Sequence, residues 1–416
     1  MQVTRRWVMI AGAATFLSGC MNGGLPLASE ARSTSVDPAL MPHPNAAYDA
    51  WVAAFRGRAE AAGISTTTLN SAFRGAGYLP GVVERDRKQT EFTRSLQDYL
   101  AIMASDEKVS TGRSKLASHR ALLGEIEGRY GVPAHVVAAI WGVESRYGAR
   151  RGDISVISAT STLAFDGRRG GFFEKQLIAA LKILQNGDVS GSNMTGSWAG
   201  AMGHTQFIPT TYQAYAVDFR GDGRRDIWSE DPTDALASAG AYLGKSGWQR
   251  GQKWGVEVQL PAGFNAGLAG RGVKKSPGDW AALGVKAASG GSLPNHGAGS
   301  ILIPMGTNGP AFLVFRNFSV ILRYNNSENY ALGVGHLSDR LAGAGPIRSS
   351  FPPDEYGLRI ADRKRLQARL TAAGYDTGGA DGVLGKKTEA AIRAYQQAKG
   401  LPVTGVPSRE LLAHLG

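Results

Sequence analysis

Apolar positions recur at helical spacing through most of the chain. Val136, Ile140 and Val143 fall at i, i+4 and i+7, one stripe of a helix that Pro133 can open and Gly148 can close. Residues 48–56, 91–100 and 114–130 place aromatics and aliphatics at three- and four-residue steps and predict further amphipathic helices, as do 175–185 and 235–245. Between about 254 and 320 the texture changes. Residues 255–261 and 300–306 alternate and are punctuated by Gly and Pro, and the apolar run 311–324 continues them. These predict short strands inserted into a mainly helical domain. Residues 342–356, rich in Gly, Pro and Ser, read as a linker, and 357–416 as a separate small unit. There is no solenoid-type repeat.

The N-terminus sets the compartment. Arg5 and Arg6 precede an apolar run, 7–17, too short to span a bilayer. Residues 1–19 therefore read as a signal peptide. They lead into Leu17-Ser18-Gly19-Cys20, which resembles a bacterial lipobox. Cys20 is the sole cysteine, so no disulfide can form within one chain. Lipidation there would anchor the protein without spanning the membrane. Met21 and Asn22 follow, with no early Asp to retain the protein at the inner membrane, so the periplasmic side of the outer membrane is the expected address. Thr4-Arg5-Arg6-Trp7 also resembles a twin-arginine signal, and the export route stays open. Residues 20–45 read as a tether.

A net charge of +12 implies an anionic partner. The basic residues form only short clusters, and no zinc-finger spacing or other nucleic-acid motif accompanies them, so nucleic acid is not the expected partner. An acidic wall polymer or a membrane surface fits the charge. The histidines show no HExxH or other paired-ligand spacing, so zinc is not indicated.

Glu144 ends the stripe of the 136–143 helix. It follows Ile140 by four residues and lies in the last turn, where the helix dipole disfavours negative charge. Desolvation and the dipole both push its pKa up, which suits a general acid. A surface carboxylate, or an ion pair with Arg146, is the alternative. Further on, Gly200, Ala201, Met202 and Gly203 leave room for close approach of a ligand or of backbone. Ser197 and Gln206 bracket that segment with uncharged hydrogen-bonding groups of the kind that read sugar hydroxyls and amides; a tight packing loop reads equally well. Tyr324, Asn325 and Tyr330 cluster downstream, suited to sugar rings or simply to a strand end and turn.

Three segments in order, GVPAHVVAAIWGVESRYG, WAGAMGHTQFIPTTY and LRYNNSENYA, resemble the lytic murein transglycosylase B family over roughly residues 48–341, which sets the expected catalytic domain at 46–341. The resemblance implies a lysozyme-like helical catalytic domain with a small inserted β subdomain. It implies cleavage of the bond between N-acetylmuramic acid and N-acetylglucosamine in peptidoglycan, with Glu144 as sole catalytic carboxylate. Ser197, Gln206, Tyr242, Tyr324, Asn325 and Tyr330 fall on the family's cleft positions, and Tyr99 on a more diverged helix. In this scheme Glu144 protonates the glycosidic oxygen and then accepts the proton of the muramic acid C6 hydroxyl, which closes a 1,6-anhydro ring. No cofactor is required. Exo or endo action and protein partners are left open. A hydrolytic lysozyme and an inactive wall-anchoring protein are the rivals. Some family members bind calcium at the segment matching 218–234, which offers Asp218, Asp222 and Asp234. Here, however, Arg220 stands at a ligand position and Ser229 where a closing Glu would be. Residues 357–416 resemble a three-helix peptidoglycan-binding module.

Overall fold

The computed structural model describes residues 37–88 and 95–416. The signal segment, Cys20 and residues 20–36 of the tether lie outside them. Among the described residues no helix is long and apolar enough to cross a membrane.

The body is helical, as the 3.6-residue patterning predicts. In chain order it runs α1 (Ala46–Ala61), α2 (Thr66–Phe73), α3 (Pro80–Arg87), α4 (Leu96–Met103), α5 (Asp106–Ser118), α6 (Arg120–Tyr130) and α7 (Ala134–Ser145). A two-stranded ribbon, β1 (Ile154–Ser155) with β2 (Thr195–Gly196), brackets α8 (Val156–Asp166) and α9 (Gly170–Gln185). Then come α10 (Pro209–Tyr215) and α11 (Thr233–Lys245). Side-chain oxygens cap several starts: Asn45 takes the Tyr48 N–H, Ser95 that of Asp98, and Ser105 that of Lys108. The stretch 114–130, read above as one helix, is two. His119 takes a non-helical conformation between α5 and α6.

The inserted sheet comprises β3 (Gly255–Gln259), β4 (Lys286–Ala287), β5 (Ser300–Leu302) and β6 (Ala311–Val314), ordered β4-β3-β6-β5 and antiparallel throughout, with α12 (Pro277–Ala282) beside it. It has its own small core around Trp280, Val258, Ile301 and Leu313. The apolar run 311–324 is only partly strand. After β6, Phe315 turns the chain and residues Arg316–Tyr324 form a helix, α13. Its Phe318, Ile321 and Leu322 are buried at helical spacing, so packing against the helical body overrides the β-branched composition. Next comes α14 (Glu328–Leu341), which packs on both α7 and α4. The main core, which includes Trp141, Phe207, Tyr212 and Tyr330, lies among these helices.

Residues after α14 do not hang free. The Glu257 carboxylate of β3 accepts the backbone N–H of Arg348 and of Ser349. The C-terminal unit is three helices, α15 (Ile360–Ala372), α16 (Lys386–Ala398) and α17 (Arg409–His414), closed on Leu366, Leu370, Ile392, Tyr395 and Leu411. Two buried amides fix its turns. Gln367 accepts from Gly382 and donates to the Val383 carbonyl, and Gln396 accepts from Thr404 and Gly405.

Candidate active site

Glu144 is the next-to-last residue of α7. The helix stops one residue later, before Gly148, because Arg146 and Tyr147 both enter the left-handed region at φ 50 and 56. Non-glycine residues rarely adopt that conformation, so the turn is strained and must be held by its surroundings. Tyr147 supplies much of the hold. Its ring is 4% exposed and its hydroxyl donates to the Lys108 carbonyl of α5 at 3.0 Å. Gly142 and Gly112 make room for it: a Cβ on either would lie within 2.5 Å of the tyrosine. From below, Ser145 donates to the His204 carbonyl at 2.6 Å, and Trp141 Nε1 to His204 Nδ1 at 3.1 Å.

Among the described residues one side chain donates to the Glu144 carboxyl. Tyr330 of α14, fully buried, donates its hydroxyl to Oε1 at 2.6 Å. Burial pushes the Glu144 pKa up to about 7; the Tyr330 hydrogen bond and the Lys108 ammonium oppose that shift without cancelling it. The ion pair with Arg146 considered above does not form. Burial and the Glu144 charge hold the Tyr324 and Tyr330 phenols well above their ordinary range, so both stay neutral donors.

The tyrosines expected from the sequence form one cluster. Tyr324 and Tyr330 stack with centroids 6.5 Å apart, and Tyr242 meets Tyr324 edge-on at 4.9 Å. Their hydroxyls are partly committed to backbone: Tyr324 to the Thr205 carbonyl at 2.6 Å, Tyr242 to that of Arg323. Tyr99 of α4 packs on α14 one turn from Tyr330; a Cβ on Gly333 would lie 2.9 Å from its ring.

Ser197 and Gln206 are placed differently from a simple sugar-reading role. Ser197 Oγ accepts the N–H groups of Ala199 and Ala201. The Gln206 amide donates to the carbonyls of Arg151 and Gly203, both at 2.9 Å, while its backbone sits at φ 52. Both side chains shape the loop they bracket. That leaves the Ser197 hydroxyl hydrogen and the Gln206 carbonyl oxygen for a ligand. Asn325 is 5% exposed, and its Oδ1 is buried without a hydrogen-bond partner. A buried acceptor of this kind costs about 1–3 kcal/mol until it is satisfied, so it marks a position where a donor from a bound molecule would be welcome.

Lys108 was not legible as a site residue. In the sequence it sits in an ordinary Asp-Glu-Lys helix start. In the fold it is 9% exposed, its ammonium donates to the Met103 sulfur at 3.9 Å, and burial together with Arg146 lowers its pKa to about 8.

Residues 47–339 match the transglycosylase SLT domain, and residues 359–415 match a peptidoglycan binding domain. The chain belongs to the transglycosylase SLT domain family. It is 36% identical over 220 residues to the membrane-bound lytic murein transglycosylase B of Escherichia coli K12, a match covering 51% of this chain and 58% of that protein, a little over half its length. Its fold is similar to that of SltB3 from Pseudomonas aeruginosa in complex with NAG-NAM-pentapeptide, with 50% identity, a TM-score of 0.73, and coverage of 89% of this chain and all of that one. It is also similar to Escherichia coli Slt35 in complex with calcium, with 29% identity, a TM-score of 0.61, and coverage of 73% and 95%.

The calcium segment is built here from backbone hydrogen bonds. Asp218 accepts from Gly221, Asp222 and Gly223; Asp234 accepts from Phe219 and Asp226; Asp222 accepts from Arg224. The Arg220 guanidinium pairs with Glu125 of α6 at 2.5 Å. Among the described residues no three His, Cys, Asp or Glu side chains cluster so as to hold a metal ion, and the loop as folded does not fit one.

Proposed function

We propose that this chain is a peptidoglycan lytic transglycosylase. It cleaves the β-1,4 bond from N-acetylmuramic acid to N-acetylglucosamine and releases 1,6-anhydro ends. The observation that carries this reading is the state of Glu144: one carboxyl, held near pKa 7 by burial and oriented by Tyr330. A group with that pKa is half protonated at neutral pH and can act first as acid, then as base. Two-carboxylate glycosidases need a partner carboxylate about 5–9.5 Å away. Glu328, the acidic residue nearest Tyr330 in sequence, is turned to Arg271 at 2.8 Å.

The steps balance without water. Glu144 gives its proton to the glycosidic oxygen as the bond to C1 breaks. The C1 cation is shared with the ring oxygen or the substrate's own N-acetyl group. The C6 hydroxyl oxygen then bonds to C1, and its proton returns to Glu144. A tethered hydroxyl can have an effective molarity of roughly 10⁵ M or more, against about 55 M for water. Asn325 Oδ1, the Gln206 carbonyl and the Ser197 hydroxyl are the groups we assign to the N-acetyl and hydroxyl substituents that hold this pose.

The same reading divides the chain into a signal peptide (1–19), a tether (20–45), the catalytic domain (46–341), a linker (342–356) and a wall-binding module (357–416). Lipid on Cys20 places the enzyme on the periplasmic side of the outer membrane, and Cys20→Ser is expected to move it from the membrane to the soluble fraction. The catalytic assignment is tested by Glu144→Gln on purified sacculi. The amide is nearly isosteric and carries no acidic proton, so turnover should fall by about 10²-fold or more. Activity near wild type would sink the assignment.

A further inference from the structure

Among the described residues, a buried cation of the C-terminal unit reaches the catalytic body. The inward face of α15 carries Arg363, Leu366, Gln367 and Leu370. The last three close the unit's own core and its turn. Arg363, at the head of the same face, reaches out of the unit instead. Its side chain is 3% exposed, and Nη2 lies 2.8 Å from Asp98 Oδ1 and 3.2 Å from Gln97 Oε1, both on α4. Nη1 lies 3.7 Å from Asp354 Oδ2, in the segment that leads into the unit. An arginine this buried is rare unless it is paired, and removing it strands the charges it faced.

The partners on α4 are themselves fixed. Ser95 caps α4 by accepting the Asp98 N–H and donates its hydroxyl to Asp98 Oδ2 at 3.0 Å, so the carboxylate that faces Arg363 is oriented by the helix's own cap. Asp354 Oδ1 accepts from Leu358 at 2.8 Å and from Tyr356 at 3.0 Å, so the lead-in segment is folded around the same charge. The next residue along α4 is Tyr99, which packs on α14 one turn from Tyr330. The helix is only eight residues long, Leu96–Met103, too short to be stable by its own hydrogen bonds. It is held on one side by α14 and on the other by Arg363.

We propose that Arg363 is a positioning residue for catalysis: it clamps the wall-binding unit to α4 and thereby holds Tyr99 in its place beside the Glu144–Tyr330 pair. The unit is then a structural part of the catalytic body as well as a wall anchor. This rests on the lytic transglycosylase reading above.

The test uses the full-length protein and a soluble peptidoglycan tetrasaccharide, too short to engage a remote wall-binding surface. Arg363→Met is expected to lower kcat by roughly tenfold, since a displacement near 1 Å in a catalytic cleft can cost up to about 10²-fold. Arg363→Lys, which keeps the charge and one donor direction, should recover part of that loss. Hydrogen exchange of residues 96–103 should speed up in Arg363→Met relative to wild type. Asp98→Asn should lower kcat similarly, and the double variant should be no worse than either single one, as for two halves of one contact. If Arg363→Met does not fold, the Asp98→Asn variant alone decides, by kcat and by exchange. Wild-type kcat in the folded variants overturns the positioning role whatever the exchange does, and unchanged exchange at 96–103 overturns the clamp. If the wild type fails to cleave the tetrasaccharide or sacculi, the enzymatic reading falls, and the exchange measurement still decides whether Arg363 holds α4.

Discussion

The Tyr330 hydroxyl donates to Glu144 Oε1 at 2.6 Å, joining residues 186 positions apart. This contact links the end of α7 to the start of α14 and sets the state of the carboxyl. Tyr330 favours the ionised form, while burial favours the neutral one and prevails.

Removing Tyr330's hydroxyl therefore has a signed consequence. In Tyr330→Phe the ionised form loses its donor, and the Glu144 pKa rises further. A general acid is active when protonated, so its rate falls as pH rises through its pKa. The alkaline limb of kcat/KM, near pH 7 in the wild type, should move to higher pH in Tyr330→Phe. The loss of the buried hydrogen bond should also cost about 1–2 kcal/mol of stability. A limb that stays in place or moves down would show that Tyr330 does not act on the Glu144 proton.

The raised pKa also makes a statement about stability. Between the ordinary value of 4.5 and about 7, the folded protein binds the Glu144 proton and the unfolded chain releases it. Stability from this group is therefore present at low pH and is lost as pH climbs through that window. Glu144→Gln removes the dependence. The variant should be more stable than wild type above pH 7, by at most about 3.5 kcal/mol since each unit is worth about 1.4, with the gap closing below about pH 4.5. Urea unfolding of both proteins across this range measures it. A gap that is independent of pH would mean the carboxyl is not desolvated.

Calcium should not matter to this chain. The Asp218 and Asp234 carboxylates hold the loop through backbone N–H groups, and the Arg220 side chain stands at a ligand position, paired with Glu125 of α6. A ligand that binds only the folded state raises Tm by mass action. Millimolar calcium should leave Tm where it is, and chelation should do the same. A concentration-dependent rise would show that the loop opens to admit the ion.

Much of this architecture was legible in the sequence because it follows from spacing. The stripe ending at Glu144 is α7, Tyr330 meets its carboxyl, and Tyr324 stacks on Tyr330. The exceptions have physical causes. The 311–324 run carries β-branched residues that composition assigns to strand; only contact with the helical body makes 316–324 a helix. His119 interrupts what reads as one amphipathic stretch, and nothing in its own chemistry announces a break. Lys108 and Arg363 look like surface cations, and their burial depends on helices far away in the chain. Ser197 and Gln206 were legible as polar groups flanking a small-residue loop. That the loop consumes part of their hydrogen-bonding capacity is set by the left-handed turn at Gln206, which sequence patterning does not show.

One carboxyl, working without an activated water, is proposed to close the anhydro ring. Mass spectrometry of peptidoglycan digested by the purified protein measures this directly. The expected muropeptides are one water lighter than hydrolysis products, with ends that borohydride does not reduce. Reducible muramic acid ends at the full hydrolytic mass would contradict this and would make the protein a hydrolase with a second, water-activating group.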